Sequence, residues 1–345
     1  MNITYLFGAG ASAKACPILK GQGEEMIKLS KKHISDDFIK MGLKPINPNA
    51  YNRILYDIGY FGEKALEYGT IDIYAKKLYL SDDYENELDR LKLSVSHFFT
   101  IWESMDDDLK KNGKYENIDP RYIGLLASVL EKTPDRHPKI KDNLKFITWN
   151  YDLQFERAYK SLCMSHLDWD NISKLLRFRI NDKNVDTLDI CHLNGYSGYY
   201  FTDKANRDTG VEVDTVNRNI QNMDVQSIVK ALEFTAESQN RSQLTFNKHI
   251  NYAWESNELA TTARNIALNI FESTDILVII GYSFPPFNKE IDQLLFSKLS
   301  KRKTKIIYQD PNASEDYISI LVKGFDTDIY CINDKLDHFF LPYEF

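Results

Sequence analysis

Short apolar runs, rich in β-branched and aromatic residues and each closed by turn-forming residues, recur along the chain and predict strands. Ile3–Phe7 runs into Gly8-Ala9-Gly10, Leu144–Trp149 into Asn150, and Leu188–Leu193 into Asn194-Gly195. Asp275–Ile280 leads into Gly281-Tyr282-Ser283 and Lys305–Gln309 into Asp310-Pro311-Asn312, with a further run at Asp328–Ile332. Between the later runs, apolar residues return at helical intervals. Leu259–Ser273 carries Ala260, Ala263, Ile266, Ala267 and Ile270; Ile291–Leu299 carries Leu294, Leu295 and Leu299; Glu315–Lys323 carries Ile318, Leu321 and Val322. Helix and strand thus alternate through the last third of the chain. That alternation predicts an α/β fold, Rossmann-like and doubly wound, with a mainly parallel sheet of about six strands and Ile3–Phe7 at or near its centre. Such sheets take ligands outside the carboxyl ends of their strands, which is where the Gly, Asn, His and Ser residues fall.

Two regions break the alternation. From about 20 to 140 the pattern is helical, as in Tyr84–Met105, and predicts a largely helical insertion or subdomain. From about 203 to 245 the chain is rich in Asn, Asp and Gln, and reads as a second, polar insertion. The expectation is one domain over residues 1–345 carrying both.

Composition narrows the class. Hydrophobic residues at 43% and charged residues at 27% suit a folded chain. With 50 acidic against 43 basic residues and a net charge of −7, nothing favours a grip on a nucleic-acid backbone, which needs a concentrated basic face. The basic stretch Lys298–Lys305 reads as a solvated helix end. Cys16, Cys163, Cys191 and Cys331 form no CxxC pair, which excludes a four-cysteine zinc ribbon, and no other cluster has metal-ligand spacing. Dispersed thiols, a start without secretory features, and apolar runs far short of the roughly 20 residues that span a bilayer lead us to expect a reduced, cytoplasmic protein without a membrane anchor.

Four motifs could carry chemistry. Gly8-Ala9-Gly10-Ala11-Ser12 follows the first strand; small residues there let a backbone approach a pyrophosphate, or make a tight strand–helix turn. Thr148-Trp149-Asn150-Tyr151-Asp152 opens a helix, where Asn150 or Asp152 could equally be a cap. Cys191-His192-Leu193-Asn194-Gly195 sets at a strand end the side chain best suited to move protons near neutral pH, although a structural histidine is the commoner occupant. Gly281-Tyr282-Ser283, taken alone, is a strand exit.

In order and placement, FGAGAS (7–12), TWNYD (148–152), HLNG (192–195) and GYS (281–283) resemble the sirtuin superfamily, whose motifs run GAGxS, T-x-N-x-D, His followed by Gly, and G-T/Y-S. The chain departs from the protein deacylases of that superfamily. It lacks their cysteine pairs, and residues 16–21 (Cys-Pro-Ile-Leu-Lys-Gly) lack their acidic-Phe-Arg element. Residues 244–254 and 276–286 look instead like the sirtuin-like effectors of bacterial antiphage systems, which deplete NAD.

The resemblance implies an NAD glycohydrolase that releases nicotinamide and ADP-ribose, with NAD as substrate and no metal. Gly8, Ala9, Gly10, Ala11 and Ser12 would hold the phosphates. Asn150 would bind the ribose or the attacking water, His192 would be the general base, and Asp152 would orient the site or cap the following helix. Gly281, Tyr282 and Ser283 would meet the phosphate or adenosine ribose, with Asp310 and Asn312 on the adenosine side. An NAD-sensing module and an ADP-ribosyl transferase are the alternatives. Because unchecked NAD hydrolysis would poison the cell, control by a homo-oligomer or a separately encoded partner protein is expected, with Trp102, Tyr199 and Tyr200 as contact or core residues. Truncating Asn150 or His192 at a strand end is expected to cost on the order of 1 kcal/mol in stability, and a bulky residue at Gly10 to block the phosphates.

Overall fold

The computed structural model describes residues 1–31, 48–81, 85–104, 114–134, 137–163, 172, 174–178, 180, 188–202, 213–214, 246–248, 250–301 and 303–345. The polar segment at about 203–245 therefore lies outside the described residues, apart from 213–214. The chain divides into two compact units, one of Met1–Ala15, Tyr115–Gly195 and Tyr252–Phe345, the other of Cys16–Lys114 and Tyr196–Asn251.

The first unit is built on six strands: β1 (Ile3–Phe7), β2 (Leu144–Thr148), β3 (Ile190–His192), β4 (Ile276–Ile280), β5 (Thr304–Gln309) and β6 (Thr327–Ile332). Their order across the sheet is β6-β5-β4-β1-β2-β3, and every neighbouring pair is parallel. This is the 3-2-1-4-5-6 order of a doubly wound sheet, in which the direction of winding reverses between β1 and β4. Ile3–Phe7 pairs residue for residue with Leu144–Thr148 on one side and Ile276–Ile280 on the other. A central parallel strand is covered on both faces, so it reads as a continuous apolar run; all five β1 residues are buried. Its polar member, Thr4, bonds the Thr274 hydroxyl at 2.7 Å.

The two faces carry different helices. On one, Tyr5, Phe7 and Phe146 stack with centroids 5.4–5.9 Å apart. They are met by Tyr122 of helix α5 (Pro120–Val129) and Phe155 of α6 (Gln154–Ser161). Phe339 covers the same ring cluster, its segment fixed by Gln309, which donates to the Lys335 and His338 carbonyls. On the other face Leu6, Ile147, Cys191 and Leu277 pack with apolar residues of α7 (Glu258–Glu272), α8 (Lys289–Ser297) and α9 (Glu315–Leu321). Caps fix the helix starts: Asp119 accepts from Arg121 N–H with Pro120 at the first turn of α5, and Asn257 accepts from Ala260 N–H at α7. Since α5 packs on the sheet, the helical region expected to run to 140 hands over to the sheet unit at Tyr115.

The second unit holds α1 (Leu19–Ser30), α2 (Pro48–Tyr68), α3 (Ile71–Tyr79) and α4 (Glu85–Ser104), with an antiparallel sheet of 199–202, 213–214 and 246–248. Gly23 and Gly62 let α1 and α2 approach closely, since a Cβ on either would lie 2.9 Å from the other's carbonyl oxygen. Trp102 is a core residue here, 1% exposed and 5.4 Å from Phe98. Among the described residues no helix is long and apolar enough to cross a membrane.

Candidate functional site

At the reversal point between β1 and β4, two strand exits interlock. Gly281 has φ +60°, and a Cβ there would lie 2.3 Å from Ala11 N; one on Gly8 would lie 2.5 Å from Tyr282 Cα, and one on Gly10 2.8 Å from Gly281 Cα. These positions need glycine because backbone meets backbone. The Gly10 amide donates to Gly281 O and the Ala11 amide to Gly8 O, while Gly8 N–H donates to Ile280 O. Those amides are committed inside the protein. Ala9 and Gly10 remain part-exposed at the surface of the loop.

The loop is fixed from below by α5. Arg121 Nη2 donates to the Gly10 and Ala11 carbonyls at 3.0 and 3.2 Å, and the same guanidinium binds Asp119. Asp119 also accepts from Lys14 N–H at 3.0 Å. Turning the loop's carbonyls onto a guanidinium fixes the direction of its peptide planes. Neither Asp119 nor Arg121 stands out in the sequence, except as a capped Asp-Pro helix start.

The second motif meets the first through side chains. Asn150 Nδ2 donates to Ser12 Oγ at 3.2 Å, and Ser12 Oγ donates to Asp152 Oδ1 at 2.9 Å. The Tyr122 hydroxyl lies 3.3 Å from the same oxygen, so the Ser12 hydroxyl is saturated by protein groups. Asp152 Oδ1 also accepts Gln154 N–H at 3.1 Å, so Asp152 both caps the start of α6 and orders Ser12. Burial, and then the Asp152 charge, push the Tyr122 phenol well above its ordinary value.

His192 ends β3 in register with Thr148. Its ring is buried, 4% exposed, and both nitrogens are engaged: Nε2 lies 2.7 Å from Glu156 Oε1 and Nδ1 3.4 Å from Asn150 O. Burial pulls the imidazole pKa down, but the charge and hydrogen bond of Glu156, the Asn150 carbonyl and the Asp152 charge outweigh it, and the net direction is upward. Glu156 is fully buried, and its Oε2 has no partner among the described residues. This carboxylate is the member of the hydrogen-bonded group that sequence reasoning missed. The available signal was its place four residues after Asp152, one helical turn along.

The remaining expected residues divide. Ser283 and Asn312 are exposed, and Gly281 is half-buried. Asp310 is buried at the end of β5, where Oδ1 accepts Asn312 N–H at 2.8 Å in a local turn. Tyr282 turns its ring into the core and stacks on Trp149 at 5.9 Å. Its hydroxyl donates to Asp292 at 2.9 Å, accepts from Asn288 Nδ2 at 3.0 Å, and so is a structural pillar; only its backbone fronts the glycine loop. Burial raises the Asp292 carboxyl to about 8.

No family model matches the chain, and no curated protein matches it. Solved structures to which it is similar include a Sir2–p53 peptide–NAD+ structure, at 12% identity and TM-score 0.37, and Sir2 bound to an acetylated peptide, at 12% identity and TM-score 0.36. Each match covers 97% of this chain and 89% of the other.

Proposed function

We propose that the chain binds NAD at the reversal point between β1 and β4 and hydrolyses its nicotinamide–ribose bond. The observation that carries this reading is the joining of Ser12, Asn150, Asp152, His192 and Glu156 into one hydrogen-bonded group beside the glycine loop. As the C1′–N bond breaks, its electron pair leaves on nicotinamide nitrogen and positive charge develops on the sugar. Buried carboxylates at Asp152 and Glu156 favour that charge, as preorganised groups do for a charge developing in the transition state. Water then forms the new O–C1′ bond, and its proton passes to His192, a step worth roughly 10²–10⁴-fold in typical enzymes. The products are nicotinamide, ADP-ribose and one proton. Ala9 and Gly10 face the phosphates; Ser283, Asp310 and Asn312 take the adenosine side.

One observation favours a restrained state in the chain by itself. His192 is buried with both ring nitrogens engaged, so turnover requires a rearrangement that frees one of them. We place the protein as a cytoplasmic, NAD-depleting antiphage effector whose activity waits on a further copy of itself or a separately encoded partner. A sensor that binds NAD without cleaving it is the second reading.

Incubation of purified protein with NAD, alone and after induced assembly, followed by chromatography, separates the readings. Nicotinamide and free ADP-ribose in equal amounts are expected. Modified protein would instead indicate transfer, and calorimetric binding with no turnover in any state would indicate sensing. Absence of binding would overturn both.

A further inference from the structure

The geometry points to Glu156 as the positioning residue of His192, setting the tautomer that leaves Nδ1 as the atom receiving the proton. This rests on the reading of the site as hydrolytic, but the two stand on separable measurements. Glu156 sits in the first turn of α6, where the helix dipole favours negative charge. Its Oε1 is 2.7 Å from His192 Nε2. A carboxylate only accepts, so the hydrogen on this contact belongs to Nε2. In the neutral ring the lone pair is then on Nδ1.

Nδ1 faces the Asn150 carbonyl at 3.4 Å, long for a hydrogen bond. Two oxygen-bearing partners thus meet the ring from opposite sides, and both gain when it becomes a cation: Nδ1–H turns into a donor to Asn150 O, and the positive charge lies against Glu156. Among the described residues, Glu156 of α6 and Asp152 just before it, both acidic, act on the ring. Together they offset the burial that would otherwise hold the ring neutral. The arrangement follows the general logic of an orienting carboxylate behind an imidazole, which fixes the ring and raises its basicity. Once the rearrangement that frees Nδ1 from the Asn150 carbonyl admits water, water gives its proton to Nδ1, and the same nitrogen later returns it to solvent.

The test is imidazole nitrogen NMR on the full chain, with His192 assigned by the loss of its signal in His192→Gln. The wild type is expected in the Nε2–H form, with a midpoint above the ordinary value of about 6.5. Glu156→Gln keeps an accepting oxygen but no charge, so it should lower the midpoint by about one pH unit or more. Turnover by this variant should fall about 10–100-fold in kcat with KM little changed, and its pH profile should move with the midpoint. Glu156→Asp, which restores charge at shorter reach, should recover part of both. An Nδ1–H tautomer in the wild type, or an unmoved midpoint in Glu156→Gln, would overturn the assignment. Should His192→Gln fail to fold, through-bond assignment of the His192 ring in the wild-type chain keeps the tautomer readable. A shifted midpoint in a protein that never cleaves NAD would sink the hydrolytic reading and leave the positioning role intact.

Discussion

A histidine at the end of a strand ordinarily tolerates truncation, and the expectation of about 1 kcal/mol for His192 follows from that. The structure revises it. His192 and Glu156 are 4% and 0% exposed and 2.7 Å apart. Removing the ring leaves a buried carboxylate with neither of its oxygens matched, because Oε2 has no partner among the described residues. His192→Ala should therefore cost about 3–5 kcal/mol, whereas Asn150→Ala, which loses one 3.2 Å bond to Ser12, should stay near 1 kcal/mol. Urea unfolding of the two variants checks this, and equal small losses would show the pair to be unimportant to stability. The gathering of Asn150, Asp152 and His192 in one place was legible because these polar residues stand where apolar runs stop. Glu156 was not. The hydrophobic pattern gives a short helix an outer polar face, yet Gln154, Glu156 and Lys160 of α6 are all buried.

At the scale of elements, the six strands were readable because each β-branched run ends at a residue that turns the chain, and the structure places all six within a residue or two of the expected bounds. The edge strand β3 is the shortest, 190–192 against an expected 188–193, with neighbouring Asp189 held in an ion pair with Arg177 at 2.5 Å. What the pattern could not convey is that two loops some 270 residues apart are packed backbone to backbone. A bulky side chain at Gly10 was expected to obstruct only the phosphates; it would strike the Gly281 backbone first. Gly281→Ala adds a Cβ 2.3 Å from Ala11 N at φ +60°, a conformation that penalises any side chain. It should lower the melting temperature by several degrees and weaken NAD binding together. Calorimetry that finds normal stability with lost binding would mean that the glycine serves the ligand alone.

The whole molecule should lose stability as the solution becomes alkaline. Asp292 keeps its proton in the folded state up to about 8, against an ordinary 3.8, so above about pH 4 folding must hold a proton that the unfolded chain releases. His192 is also raised in the folded state; its contribution is complete below about 6.5 and fades as pH climbs through the folded value. Buried His97, pulled down to about 3 from 6.5, has the opposite sign, but its effect is complete by pH 6.5. Between pH 6.5 and 8 the melting temperature should thus fall. Asp292→Asn should flatten the slope while keeping an acceptor for Tyr282; an unchanged slope would assign the effect to other groups. The sheet order bears, finally, on how the chain is made. The strand at residues 3–7 needs partners at 144–148 and 276–280. At roughly 5–20 residues per second of synthesis, the central strand waits about 15–60 s before its second neighbour exists. During that interval a strand destined for complete burial keeps one edge open, and an open apolar edge is a template for wrong pairing.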